Sequence, residues 1–203
     1  MKNSEILVLI AQAHSASTPG KRSPDGVFRE YAWSREISKM IVEKLYSLGI
    51  KSIIINPEVE EDVNLHTQAK RVNDLYKKYK SIYKEIILIS PHVNAGPKNE
   101  WSNARGWCGY VYDRASAKSR KLASIISDKA YNQYSLKGNR SVPKIGYYEA
   151  NFCILRETVV PALLTENLFM TNRDDVEFLS SKNGKEIITD LHVNSILDYM
   201  ESI

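Results

Sequence analysis

Short apolar runs alternate along the chain with longer stretches whose apolar residues recur every three or four positions. The runs Ile6-Leu7-Val8-Leu9-Ile10, Ile86-Ile87-Leu88-Ile89 and Pro161-Ala162-Leu163-Leu164 have the length and aliphatic content of strands buried on both faces of a parallel sheet. After the first, Trp33, Ile37, Met40, Ile41, Leu45 and Leu48 follow helical spacing until Gly49 supplies a stop. A strand over 52–55 ends at Asn56-Pro57, and a helix from about Leu65 carries Ala69, Val72, Leu75, Tyr76 and Tyr79 on one face. The strand over 85–90 leads into a polar loop over 93–104 containing Gly96-Pro97, a strand over 106–112 and a helix from Ala115 to about Tyr134. Residues 135–150 read as irregular, 152–155 and 162–165 as short strands, and 173–180 and 185–201 as closing helices separated by Asn183-Gly184. The alternation predicts an α/β fold: a single domain over 1–203, with a mostly parallel mixed sheet of about six strands and helices on both faces.

His14 and His92 fall at the ends of the first and second of these runs, and Glu166 at the end of the third. Ligands of open α/β sheets bind beyond the carboxyl ends of the strands, so all three side chains are expected at one edge. A catalytic zinc takes three His, Glu or Asp ligands and keeps one position open. His14 and His92 supply two. Glu30 is the best third, because the loop after the first strand is long enough to bring the next helix back over that edge; Glu36, deeper in the helix, is a weaker choice. Glu166 is then free to act as a base on water, which is the division of labour that metal-assisted hydrolysis requires.

Composition narrows the picture only slightly. The 203 residues are 43% hydrophobic and 26% charged, with net charge +4, ordinary for a globular chain of this length. Much of the positive excess lies in Lys77-Lys78-Tyr79-Lys80-Ser81-Ile82-Tyr83-Lys84, which reads as a solvated helix face. With no readout motif, nucleic-acid binding is not expected. Cys108 and Cys153, both placed in strands, lack the spacing of a disulfide framework or a cysteine zinc site. No apolar segment is long enough to span a bilayer, and no stable membrane association is expected. Ile6–Ile10 before Ala11-Gln12-Ala13 imitates a signal peptide, but Glu5 borders the run, which is shorter than the roughly 7–15 residues such a core needs.

Two motifs carry a family resemblance. Ser90-Pro91-His92-Val93-Asn94-Ala95 resembles the Ser-x-His-x-Asn-Ala segment of the zinc-dependent N-acetylmuramoyl-L-alanine amidases of the amidase-3 type. Pro161-Ala162-Leu163-Leu164-Thr165-Glu166, with Asn167-Leu168-Phe169-Met170-Thr171-Asn172 behind it, resembles that family's Pro-Ala-hydrophobic-Leu-hydrophobic-Glu block and trailing Phe-x-x-Asn. Phe152 to Arg156 is similar to the stretch preceding that block, and the order of elements agrees from about residue 5 to 200. The resemblance implies zinc on His14, Glu30 and His92, catalysis by Glu166, and cleavage of the amide between N-acetylmuramic acid and L-alanine in peptidoglycan or soluble muropeptides. Asn94 is then placed to hydrogen-bond substrate or a ligand. The chain departs from the family's usual Asp-x-Gly-His-Gly: Ala11-Gln12-Ala13-His14-Ser15 lacks the acid and both glycines, so its loop must avoid positive φ there or tolerate strain.

His66 and His192 read as structural or exposed. Trp101, Trp107, Tyr147 and Tyr148 line a saccharide or peptide groove or serve the core, and Arg105 and Arg156 bind a peptide or muramic carboxylate or make surface ion pairs. Expected on these grounds is a monomer made in the cytoplasm without a signal peptide, acting at the wall or on muropeptides. The alternatives are a zinc carboxypeptidase-like peptidase on wall peptides and a non-catalytic wall-binding module with a degenerate site.

Overall fold

The computed structural model describes residues 1–96, 98 and 100–203. Among them, strands β1 (Ile6–Ile10), β2 (Lys51–Ile54), β3 (Glu85–Asn94), β4 (Cys108–Val111), β5 (Tyr148–Glu149) and β6 (Ala162–Phe169) form one sheet in the order β2-β1-β3-β6-β4-β5. Neighbours run parallel except β4 against β6. The helices are α1 (Glu30–Ser47), α2 (Leu65–Tyr79), α3 (Ala117–Asp128), α4 (Cys153–Arg156), α5 (Arg173–Ser180) and α6 (Lys182–Glu201).

The period-two alternation of strands divides the core between two faces. On the back face Ile6, Val8, Ile10, Ile87, Ile89 and Leu163 pack against α1, α3 and α6. On the front face Leu7, Leu9, Ile86, Leu88, Ala162 and Leu164 meet Ala69 and Val72 of α2 and Ile154 and Leu155 of α4. Both sides of β1 and β3 are therefore buried, which is why their sequences are continuously apolar rather than alternating. The same alternation sends Ser90, His92 and Glu166 forward and Thr165 backward.

Four expectations need correcting. Residues 152–155 are not a strand: Cys153–Arg156 is one helical turn, and the fifth strand is instead Tyr148–Glu149. Adjacent Ile154 and Leu155 both pack on the front cluster, as a helical turn permits and a strand does not, and Cys153 accordingly lies in a helix. Strands β3 and β6 continue past Ser90 and Thr165, so His92 and Glu166 lie within them rather than after them. Asn183-Gly184 is no break but the first turn of α6, capped by the Ser181 hydroxyl accepting from Gly184 N at 2.9 Å. A Cβ on Gly184 would sit 1.8 Å from the Phe178 carbonyl oxygen, so the close junction of α5 and α6 requires glycine. Pro97, read with Gly96 as loop punctuation, lies outside the described residues.

Pro91 sits inside a central strand, where proline normally costs a ladder bond. Here Leu88 N bonds β6 through the Pro161 carbonyl, while Ala11 N donates to the Ile89 carbonyl on the β1 side. Alternation thus directs residue 91 toward β1, whose paired residues end at Ile10. Proline offers no N–H to the Ala11 carbonyl there, which accepts from Ser90 Oγ at 2.9 Å instead, and the Pro91 carbonyl accepts from Ser34 Oγ at 2.7 Å.

Candidate metal centre and catalytic cleft

The loop after β1 returns over the sheet edge and delivers Glu30 as the first residue of α1, its N–H bonded to the Lys21 carbonyl. Glu30 is 2% exposed. Its Oε1 accepts from Val93 N at 3.0 Å and lies 3.1 Å from His92 Nδ1; its Oε2 lies 3.4 Å from His14 Nε2. The two imidazoles meet edge to face, with ring centres 5.2 Å apart. Ligand atoms of His14, Glu30 and His92 all fall within 4.8 Å of one another.

The hydrogen-bond pattern fits a divalent ion. Ser90 Oγ donates to the Ala11 carbonyl at 2.9 Å and so receives from His92 Nε2–H at 3.2 Å. That leaves the Nδ1 lone pair facing the Glu30 carboxylate, an opposition of two acceptors that only a proton or a cation relieves. Glu30 Oε2 is buried without a hydrogen bond among the described residues. Two imidazoles, one carboxylate and an orienting partner on the far ring nitrogen are the donor set of a catalytic zinc.

The backbone that presents His14 is held from three sides. Asn56 exchanges two 2.7 Å bonds with the Gln12 backbone, Ser34 Oγ accepts from Ala13 N at 2.9 Å, and Arg35 donates to the His14 carbonyl at 2.9 Å. His14 itself takes φ +50°. Strain is tolerated rather than avoided, at a cost of roughly 1–3 kcal/mol, and the positive φ falls on the histidine instead of on a neighbouring glycine.

Glu166 is the register partner of His92 across β3 and β6. Just beyond it the register shifts, with Asn167 and Leu168 opposing Val93, and Leu168 takes φ +65°. This is a bulge of the kind that re-aims side chains near functional sites. The buried Asn167 amide fills it, donating to the His92 carbonyl at 2.9 Å and to Thr165 Oγ1 at 3.0 Å while accepting from Trp107 Nε1 at 3.0 Å. Glu166 Oε2 is buried without a partner among the described residues.

Burial and charge sort the acids and bases. Burial pushes Glu166 up to about 7, with Glu30's charge adding and His92 opposing. Burial also acts to raise Glu30, but the two histidines and Val93 N–H outweigh it and its pKa is lowered. His14 is lowered to about 4 by burial against the pull of Glu30. For His92, burial is overcome by the Glu30 carboxylate, and the pKa is raised.

A cavity of about 330 Å³ opens on this edge, lined by His14, His92, Gln12 and Ser90 from the sheet side and by Leu65 and Ile154 from α2 and α4. A larger one of about 670 Å³ around Arg105 and Phe178 includes none of the clustered donors. Arg105 there pairs with Asp174 and Asp175, and Arg156 pairs with Glu157 and Asn151, so both guanidiniums are engaged within the chain. Asn94 ends β3, with Oδ1 on Ala95 N at 2.9 Å. Trp107 and Tyr147 are core, and Trp101 stacks under Arg173 at 4.1 Å.

Sequence reasoning missed Ser34, Asn56, Asn167 and Arg140. Ser34 had a signal: with Glu30 and Ser38 it forms a buried polar row at helical spacing on α1. Arg140 had none, since it comes from the irregular 135–150 stretch. Its guanidinium lies 5.2 Å from the centres of both the Tyr148 and Phe169 rings, its charge acts to lower the Glu166 pKa, and its Nε is buried without a hydrogen bond among the described residues.

An open α/β sheet thus carries, at one edge, a two-histidine, one-glutamate donor set able to hold a metal ion and a buried carboxylate beside it. A family profile described as N-acetylmuramoyl-L-alanine amidase matches residues 8–198, and the chain belongs to that family. It is 28% identical over 119 residues to an endolysin of Bacillus phage SPP1, covering 58% of this chain and 41% of that protein. It is 27% identical over 145 residues to the N-acetylmuramoyl-L-alanine amidase CwlM of Bacillus licheniformis, covering 71% and 49%. The chain thus spans half or less of the length of these curated relatives. Among solved structures, an amidase from Clostridium difficile 630 shares the fold at TM-score 0.82 and 22% identity over 98% of each chain. Ami1 from Mycobacterium smegmatis shares it at 0.83 and 15% over 100% of each.

Proposed function

We propose that this protein hydrolyses the amide between N-acetylmuramic acid and L-alanine in peptidoglycan or muropeptides, with zinc on His14, Glu30 and His92 and Glu166 as proton carrier. The observation that carries the reading is the paired arrangement itself: a cation-seeking donor set in which the register neighbour of His92 is Glu166, a carboxylate whose pKa burial raises to about 7 and whose Oε2 has no partner among the described residues.

Zinc in such a donor set supplies Lewis acidity, making water more acidic and a carbonyl more electrophilic. The chain's own groups do the rest. Glu166 takes a proton from the attacking water, whose oxygen bonds to the lactyl carbonyl carbon. It returns that proton to the L-alanine nitrogen as the C–N bond breaks, and the second proton of the water follows, leaving a muramoyl carboxylate and the ammonium of L-alanine. A carboxyl group with a pKa near the working pH suits both transfers. Ser90 and Asn167 keep His92 oriented; Ser34, Arg35 and Asn56 do the same for the His14 loop. Asn94 and Arg140 offer a hydrogen bond and a free positive charge to the substrate's amides and carboxylates. Arg105 and Arg156 contribute there only by giving up their present carboxylate partners.

The test is mass spectrometry of purified peptidoglycan and soluble muropeptides incubated with the protein, with chelator, and with zinc restored after chelation. Stem peptides with a free L-alanine amine, lost on chelation and regained with zinc, are expected. Intact sugar–peptide links in every condition, in protein that holds zinc, overturn the proposal. Release of a C-terminal residue would instead assign a carboxypeptidase.

A further inference from the structure

A second set of donors stands at the lip of the cleft. His66 Nδ1 lies 2.7 Å from Glu157 Oε2 and 3.7 Å from Cys153 Sγ, and ligand atoms of the three residues lie within 4.8 Å of one another. We propose that His66, Cys153 and Glu157 form a second metal site, separate from the His14–Glu30–His92 set, that takes a zinc-class divalent ion and ties α2 to α4.

The geometry argues against the other use of a Cys, a His and a carboxylate. In a nucleophilic triad the thiol and the acid engage opposite nitrogens of the imidazole. Here both approach the same Nδ1, so the three side chains surround one point instead of forming a relay. Thiolate, imidazole and carboxylate together select zinc and its neighbours over calcium or magnesium.

The frame exists without the ion. Asn64 caps α2 by accepting from His66 N at 2.9 Å. Asn73, two turns further along α2, donates to the Glu157 carbonyl at 2.8 Å and accepts from Val159 N at 2.9 Å. The segment that carries Cys153 and Glu157 is thereby pinned to the helix that carries His66. Arg156 holds Glu157 Oε1 at 2.9 Å, leaving Oε2 toward His66. Arg156 and His66 keep Glu157 ionised, with its pKa lowered to about 2. Burial and the Glu157 charge raise Cys153, and a bound divalent ion reverses that by taking the thiolate directly.

Position gives the site a consequence. Leu65 and Ile154, the chain neighbours of His66 and Cys153, line the 330 Å³ cavity beside His14 and His92. An ion joining the two elements fixes the width of that wall. The His66 side chain is 69% exposed, so this ion is reached from solvent and exchanges more readily than one at the buried set.

The site is tested by titrating metal-free protein with cobalt(II) alone, then displacing it with zinc(II). The sulfur ligand distinguishes the two sites, because only the proposed one produces a thiolate-to-cobalt charge-transfer band. Wild type is expected to bind two equivalents per chain and show the band. Cys153→Ser and His66→Gln each lose the band and one equivalent, whereas His14→Ala loses one equivalent and keeps the band. Glu157→Gln weakens the band-forming equivalent and serves as the check if either other variant fails to fold. Absence of the band in wild type, its survival in His66→Gln, or an unchanged two equivalents in Cys153→Ser overturns the proposal. Cys108 is not a competing source of the band, being fully buried with its thiol pushed up to about 12.

Discussion

Two histidines lie on opposite faces of the β3–β6 pair, His92 projecting from β3 itself and His192 packed on it from α6, and burial leads them to opposite states. On the back face His192 of α6 donates from Nδ1 to the Ile188 carbonyl at 2.7 Å and accepts at Nε2 from Thr165 Oγ1 at 3.0 Å. Both ring nitrogens are satisfied by neutral partners, and burial lowers its pKa to about 4. On the front face His92 meets the same desolvation, but the Glu30 carboxylate beside it reverses the outcome and raises the pKa. Thr165 and Glu166, adjacent on β6, face these two environments. Burial alone makes a histidine a neutral strut; a buried carboxylate against it makes a site for a proton or a metal. The two sides are joined, because Asn167 donates both to Thr165 Oγ1 and to the His92 carbonyl.

The largest break in this contrast comes from the front. Glu166→Gln keeps the volume and one acceptor oxygen but replaces the other with an NH2 and cannot accept a proton, and kcat for amide cleavage is expected to fall about 10²–10⁴-fold. Zinc content measured by atomic emission should stay at the wild-type level, since the clustered donors do not include Glu166. Retained turnover would remove Glu166 from the proton path. Loss of zinc alongside activity would instead make it a ligand.

Much of this front edge was legible in the chain. Apolar runs buried on both faces announced the central strands, and His14, His92 and Glu30 could be placed at one edge by topology and loop length alone. The rest depended on contacts that no local pattern records. The apolar run Phe152-Cys153-Ile154-Leu155 suits a strand or a helical turn equally well, and only packing on the front cluster decides for the turn. The continuation of β3 to Asn94 past Pro91 relies on the Ser90 hydroxyl supplying the Ala11 carbonyl with the donor that proline lacks. Asn56 and Asn167 are polar residues whose partners lie 44 and 75 positions away. His66, Cys153 and Glu157 are unremarkable one by one and gain meaning only when α2 and α4 meet.

The back-face histidine should register as an acid sensitivity of folding. His192 has a depressed pKa in the fold, so between its unfolded value of 6.5 and about 4 the unfolded chain binds the extra proton. Its contribution is complete above pH 6.5 and is lost as pH falls through that window, to a total of about 3 kcal/mol. Urea unfolding midpoints of wild type and His192→Gln should therefore converge as pH drops from 7 toward 4, whatever the other titrating groups add to both. Parallel midpoints across the window would show that the fold does not depress the His192 pKa.

The smallest effect tests the tautomer that separates the two histidines. Ser90 Oγ, committed to the Ala11 carbonyl, is an acceptor for His92 Nε2–H and so turns the Nδ1 lone pair toward Glu30. Ser90→Ala removes that preference without touching a donor of the cluster, and zinc affinity in competition with a chromophoric chelator is expected to fall about 10-fold, at the low end for partners of metal-bound histidines. Ser90→Thr keeps the hydroxyl and should restore most of the affinity. Equal losses in both variants would point to packing around Ser90 rather than to its hydrogen bond. Wild-type affinity in Ser90→Ala would mean that Glu30 alone suffices to orient His92, leaving the carboxylate as the whole difference between the front histidine and the back one.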